Sequence, residues 1–260
     1  MRERSAEMEN RMRKVFVVGL GPGAGAQMTA EARAALEQCE VIIGYPVYLD
    51  LIRGDFPDKT YKSTPMKQET ERCTMALQEA AEGRGTAMVC SGDAGVYGMA
   101  GLLLEMGAAY PEVEIEIVPG ITAAIGGAAV LGAPLMHDFA VISLSDLLTP
   151  WGKIETRLRA AAMADFVICL YNPSSRKRKG YLKKACRIMQ EFKTGDTICG
   201  IVRNIGRAEQ SSAILTLKEL GDTETDMFTT VFIGNEQTMR LNGKMVTPRG
   251  YDTSGQRTIV

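Results

Sequence analysis

Short β-rich runs alternate with segments of helical period along this chain and confine it to the α/β class. The first run, Lys14–Val18, leads through a glycine turn to a helix near Thr29–Gln38, and Val41–Ile43 is the next strand. Thr64 as N-cap, Pro65 at the first helical position, and Met66, Cys73, Leu77 and Ala80 on one face predict a helix that stops at Gly83. Strands at Ala87–Cys90 and Val113–Val118 flank a helix near Tyr97–Tyr110, and a helix of small residues runs from Gly120 to Leu131. Gly132-Ala133-Pro134 breaks the pattern and sets a domain boundary, giving α/β domains at 13–133 and 134–252 between tails at 1–12 and 253–260. Beyond it, strands at Phe139–Leu144, Phe166–Tyr171 and Thr197–Val202 are separated by helices near Pro150–Met163 and Tyr181–Phe192. Ser211–Leu215, Thr230–Ile233 and Met239–Val246 are expected as antiparallel strands that finish the second sheet, the last folded at the hairpin signal Asn242-Gly243. A ligand cleft between the two halves is the natural expectation.

With 45% apolar residues among 260, the chain can bury a core of that size. Thirty basic residues against thirty-one acidic ones leave a net charge of -1, which gives no global field for holding nucleic acid or an anionic membrane. Cys39, Cys73, Cys90, Cys169, Cys186 and Cys199 are scattered without a CxxC pair, and the chain has one histidine. No metal site is expected from such a set; buried thiols in a reducing cytoplasm account for it. The opening MRERSAEMENRM has no apolar core, so it is not a secretory signal and is expected to fray. No apolar run approaches the roughly 20 residues of a membrane span.

The first strand ends in Gly19-Leu20-Gly21-Pro22-Gly23-Ala24-Gly25, which satisfies the loose dinucleotide pattern with Ala24 in the third glycine position. Pro22 removes an N–H that a pyrophosphate cradle uses, and the second strand ends in Gly44-Tyr45 where an acidic residue should hold a ribose. A nicotinamide oxidoreductase is thus a weak alternative. Glycine density alone also allows a plain strand-to-helix turn.

Ser91-Gly92-Asp93-Ala94-Gly95-Val96-Tyr97-Gly98 follows a strand and puts Asp93 at a carboxyl end, where α/β sheets bind ligands. Asp93 there either accepts hydrogen bonds from a ligand or caps the next helix. Val118-Pro119-Gly120-Ile121-Thr122-Ala123-Ala124 and Leu170-Tyr171-Asn172-Pro173 close two more strands. GLGPG, SGDxGVYG, PGITAA and LYNP, in this order and spacing from Arg13 to Tyr251, resemble the tetrapyrrole methylase family. Met66-Lys67-Gln68-Glu69, Glu71-Arg72-Cys73, Gly132–His137-Asp138-Phe139, ISLSDLLTPW at Ile142–Trp151 and Arg176–Lys179 are similar to its branch that methylates carbon 17 of precorrin-3B or cobalt-factor III. One departure is Ala94, where the family usually has proline.

The resemblance implies two α/β domains of the tetrapyrrole methylase type with the ligand cleft between them, a homodimer, and S-adenosylmethionine as methyl donor. It implies donor contacts from Pro22, Ser91, Gly92, Asp93, Val96, Thr122 and Ala123, and from Tyr171, Asn172, Val202, Arg203 and Asn204. A tetrapyrrole substrate with acetate and propionate groups would meet Gly21, Gly23, Lys67, Arg72, Arg176 and Lys177. Methylation with ring contraction needs proton movement, for which His137 beside Asp138 is the candidate, against the plainer role of a hinge residue bonded to a neighbouring loop. Methylation of another precorrin by the same fold is the nearer alternative.

Overall fold

The computed structural model describes residues 13–23, 25–175 and 178–251; the two expected tails, Ala24, Arg176 and Lys177 lie outside them. Its first compact unit runs to Gly126 and its second from Gly127, a division inside a helix and upstream of the Pro134 expected from the sequence.

In the first unit, β1 (Lys14–Gly19), β2 (Val41–Gly44), β3 (Thr60–Ser63), β4 (Thr86–Cys90) and β5 (Glu114–Val118) form a parallel sheet in the order β3-β2-β4-β1-β5. The two-residue side-chain period sends Val15 and Val17 to one face and Phe16 and Val18 to the other, so β1 reads as an uninterrupted apolar run because both faces are covered. Helix α1 (Ala30–Gln38) buries Ala32, Ala35 and Leu36 on one face, followed in the chain by the single turn α2 (Pro46–Leu49). Thr29 caps α1, its side chain accepting from the Ala32 N–H at 3.0 Å. On the other face, α3 (Glu69–Ala81) buries Cys73, Ala76, Leu77 and Ala80, and α4 (Ala100–Gly107) buries Leu103. Each leucine so buried contributes about 1.5–3 kcal/mol.

Helix α3 starts at Glu69 and not at Pro65. Lys67, at φ 72°, stands in the left-handed region and breaks the helical path, while the Thr64 hydroxyl donates to the Gln68 carbonyl at 3.2 Å. The capping signal is therefore spent on a loop. Glu79 on α3 is 7% exposed and accepts from Lys62 Nζ at 2.5 Å and Arg84 Nε at 2.6 Å. The hydrogen bond from Arg84, with that from Lys62, holds its carboxyl below the usual glutamate range. A group with a depressed folded-state pKa adds stability above its unfolded pKa and loses it as pH falls through the folded one. Glu79→Gln is expected to cost about 1–2 kcal/mol at pH 7, both cations being half-exposed. In urea melts the gap to the parent should close as pH drops below the glutamate range; a gap independent of pH would refute this account.

Helix α5 (Ala123–Leu131) crosses the division, and β6 (Gly132–Ala133) follows it. The second sheet, in the order β10-β9-β11-β8-β7, comprises β7 (Phe139–Ser143), β8 (Val167–Tyr171), β9 (Ile198–Arg203), β10 (Ser211–Thr216) and β11 (Thr229–Ile233). Only the β7–β8 pairing is parallel. Helices α6 (Trp151–Met163), α7 (Tyr181–Met189) and α8 (Leu217–Leu220) bury Ile154, Leu158, Leu182, Met189 and Leu220 against it. The last strands, β12 (Met239–Leu241) and β13 (Lys244–Val246), turn at Asn242 and Gly243, both at positive φ as a two-residue hairpin of the primed type requires. They do not extend the second sheet: β13 pairs in parallel with β6, making a separate three-stranded sheet. Thr247 fastens it: its N–H donates to Ala133 O at 3.1 Å and its hydroxyl to Pro134 O at 2.7 Å.

All six cysteines are buried and free, and burial pushes the thiols of Cys39, Cys73, Cys169 and Cys186 up to about 12. Among the described residues no group of His, Cys, Asp and Glu side chains could hold a metal ion, and no helix is long and apolar enough to cross a membrane.

Candidate functional site

The carboxyl ends of β1 and β4 are joined by backbone hydrogen bonds, and the end of β5 comes close against them. Gly21 and Gly92 exchange hydrogen bonds, N to O at 3.0 Å and 2.8 Å, and the Leu20 N–H reaches Cys90 O at 2.9 Å. Gly92 has φ +72°, and a Cβ on Gly19 would lie 2.7 Å from Gly120 N, so the approach of these turns excludes side chains. Asp93 binds them together. Its Oδ1 accepts from the N–H groups of Gly95 (2.8 Å) and Val96 (3.1 Å), and its Oδ2 from Gly120 (2.9 Å), twenty-seven residues on. Asp93 therefore does not cap α4, which begins at Ala100. Among the described residues three of about four lone-pair positions of the carboxylate are used, leaving one on Oδ2.

Ser91 and Val96 are half-buried beside this junction, as are Thr122 and Ala123 where α5 begins. A Cβ on Gly92 would sit 3.7 Å from both Thr122 Cα and Ala123 N, so glycine keeps a slot open between two stretches of bare backbone. Gly21, Pro22 and Gly23 are buried. Beside them Gln27 has a buried Oε1 with no partner among the described residues, an acceptor the sequence reading missed because nothing in its neighbours marks it.

Lys67 is exposed at its left-handed turn, but Arg72 is not the open cation expected. It is 5% exposed, its Nη2 donates to Thr64 O and Pro65 O at 3.1 Å each, and its Nε has no partner among the described residues. A cation in the first turn of a helix opposes the dipole, so Arg72 clamps the Thr64–Gln68 loop at an electrostatic cost.

In the second unit, Tyr171 ends β8 and Asn172, at φ 53°, turns the chain away and donates through Nδ2 to Ser143 Oγ at 3.0 Å. Asn204, at φ 50°, turns the chain the same way after β9, its N–H on Phe228 O at 3.1 Å. Arg203 donates through Nη2 to Glu224 O, and its Nε is buried without a partner among the described residues. Val202 departs from expectation: it is fully buried within β9 and sits in register with Ser212 and Thr230 on the two neighbouring strands, which leaves Arg203 and Asn204 as the reachable members of that stretch. His137 Nε2 lies 2.8 Å from Pro248 O. A carbonyl only accepts, so Nε2 carries a proton, and in the neutral ring Nδ1 is then the acceptor. Asp138 is exposed, and its carbonyl takes the Val167 N–H at 3.2 Å.

ISLSDLLTPW forms a network that the sequence reading marked as distinctive without assigning it residues. Asp146 Oδ2 accepts from the Tyr181 hydroxyl at 2.6 Å, and Oδ1 lies 3.5 Å from Arg178 Nη1, which also donates to Ser145 Oγ at 3.0 Å. The hydrogen bond from Tyr181, with the Arg178 charge, keeps the Asp146 carboxyl below its usual range, and the same bond raises the Tyr181 hydroxyl. Tyr181 packs edge-on against Trp151, ring centres 4.6 Å apart.

The family model for Tetrapyrrole (Corrin/Porphyrin) Methylases matches residues 14–221. The chain belongs to the tetrapyrrole methylases. As one of them it is a methyltransferase, and the two α/β units above are the architecture of that family. This methylase is 47% identical over 236 residues, 90% of its length and 98% of the relative's, to a probable cobalt-factor III C(17)-methyltransferase of Salmonella typhimurium. It is 38% identical over 251 residues, 93% of its length and 98% of the relative's, to a precorrin-3B C(17)-methyltransferase of a Sinorhizobium species. Among solved structures, the methyltransferase CobJ superposes with a TM-score of 0.84 at 39% identity, covering 90% of the methylase and 99% of CobJ.

Proposed function

We propose that this methylase transfers a methyl group from S-adenosylmethionine to carbon 17 of a tetrapyrrole, with contraction of the macrocycle, in cobalamin biosynthesis. The substrate is cobalt-factor III or precorrin-3B. The observation that carries the reading is the junction of β1, β4 and β5 held by Asp93. The donor fits what is there: a backbone-walled slot beside Gly92, an Oδ2 lone pair for a hydroxyl or ammonium group, and the orphaned Gln27 oxygen. Bound there, S-adenosylmethionine supplies an electrophilic methyl on a sulfonium.

The transfer needs no protein nucleophile, and the buried, weakly acidic thiols offer none. The residues at the strand ends work by alignment. Ser91, Gly92, Asp93, Val96, Thr122 and Ala123, with Pro22, hold the donor, and Tyr171, Asn172, Arg203 and Asn204 are the further contacts that the family resemblance implies. Bringing donor carbon and acceptor within about 3–3.5 Å supplies much of the rate. Lys67 meets substrate carboxylates together with Arg176 and Lys177, and Gly21 and Gly23 line the wall, while the buried Arg72 holds the Thr64–Gln68 loop in place. His137, its Nε2 held by the Pro248 carbonyl and its Nδ1 facing away from that bond, takes up the proton movement that contraction requires, Asp138 beside it in the chain. This reading includes a homodimer in the cytoplasm, supported by the family resemblance and by six free thiols.

Purified protein with S-adenosylmethionine and cobalt-factor III is expected to yield a tetrapyrrole heavier by about 14 Da, the mass of an added CH2. An unchanged mass where calorimetry shows the donor bound would overturn the proposal, as would calorimetric binding of NAD in place of the donor.

A further inference from the structure

Ser145, Asp146, Arg178 and Tyr181 take no part in the donor binding or proton movement assigned above, yet they form a connected polar group at the second unit's sheet edge. Arg178 is held on one side only. Its Nη1 is committed to Ser145 Oγ at 3.0 Å and to Asp146 at 3.5 Å, its side chain is 14% exposed, and its Nε is buried with no partner among the described residues. Asp146 cannot turn to serve that Nε, because its other oxygen is fixed by Tyr181 at 2.6 Å and Tyr181 is wedged against Trp151. A buried donor left without an acceptor is costly enough that native proteins rarely keep one. The Nε side of a guanidinium is also an edge that pairs with two oxygens of a carboxylate. The group stands at the carboxyl ends of the parallel strands β7 and β8, the edge at which α/β sheets take ligands.

We propose that Arg178 is the receptor for one side-chain carboxylate of the macrocycle, and that Asp146 and Tyr181 are positioning residues that aim it. The proposal rests on the reading of the substrate as a polycarboxylate tetrapyrrole. Asp146 restrains the guanidinium from Nη1 and Tyr181 restrains Asp146, so the Nε edge keeps one direction. Lysine in place of Arg178 keeps the charge and loses that edge.

The test is an absorbance titration of the full chain with uroporphyrin III, an unreactive tetrapyrrole with acetate and propionate groups, alongside calorimetry with S-adenosylmethionine. Arg178→Lys is expected to raise the Kd for the porphyrin about tenfold or more, and Tyr181→Phe and Asp146→Asn about threefold to tenfold, with donor affinity unchanged in all three. A purely structural role would lower thermal stability and leave porphyrin affinity alone. Porphyrin affinity within twofold of the parent in Arg178→Lys and Tyr181→Phe, or a parent that does not bind the porphyrin, overturns the proposal. Tyr181→Phe keeps the Arg178–Ser145 bond, so it decides the matter if the lysine variant misfolds. A parent that binds the porphyrin but not the donor contradicts the methyltransfer reading instead.

Discussion

Gly120→Ala is expected to abolish binding of S-adenosylmethionine and to lower the melting temperature by about 10 °C. The added Cβ would lie 2.2 Å from Gly92 O and 2.6 Å from both C and O of Gly19. All three atoms are backbone, so no side chain can swing aside, and the ends of β1, β4 and β5 must part. Overpacking costs about 1–3 kcal/mol in general, and the upper end applies where the chain itself must move; in a protein of this size that is about 6–12 °C. Gly101→Ala is the control, since nothing lies within 4 Å of its added carbon and alanine is the better helix former in α4. Scanning calorimetry and donor titration of the two variants give the comparison. Parent-like melting and binding by Gly120→Ala would show that the three ends are not fused as described.

Asp93→Asn should be almost as damaging as Asp93→Ala, weakening donor binding at least about a hundredfold. Most aspartate sites tolerate the amide better than the methyl, because one oxygen is kept. Here both oxygens face N–H donors: Gly95 and Val96 on Oδ1, Gly120 on Oδ2. Whichever way the amide is turned, its NH2 confronts a backbone donor, and a bond to a charged acceptor, about 1.5–3 kcal/mol, becomes a repulsion. Losing one such anchor releases either the Gly95–Val96 turn or the Gly120 turn, and both border the slot at Gly92. Donor affinity of Asp93→Asn within threefold of the parent would mean that the carboxylate is not the tie between these loops.

The parallel first sheet was readable because buried strands such as β1 and β4 are nearly pure apolar runs, bounded by glycines that the close turns demand. Strand β3 was missed: Thr60–Ser63 is half-exposed and carries one large apolar side chain, so no period marks it. The start of α3 was misread for a different reason. Thr64 and Pro65 are good N-terminal signals, yet Arg72 draws both their carbonyls and Lys67 turns left-handed, so tertiary contacts override local preference. Strand β6 has two small residues, and the partner that defines it lies more than a hundred positions away. In the site, Asp93 was legible as a strand-end carboxylate, but its hold on Gly120 was not. The ISLSDLLTPW segment was distinctive, yet its polar network is completed by Arg178 and Tyr181, which no spacing rule connects to Asp146.

The fastening of Thr247 to Ala133 and Pro134, together with the His137–Pro248 contact, carries a consequence for how the chain is made. Every strand of the first sheet comes from residues 14–118, so that sheet can assemble while the ribosome is still translating the remainder. The segment around His137 has no such independence. Strand β6 acquires its one partner among the described residues when β13 emerges, and the imidazole acquires its carbonyl two residues after Val246. The segment around His137 is thus set only after residues 244–248 have been made, and a ribosome stalled short of codon 247 would carry a finished first sheet and an unset histidine.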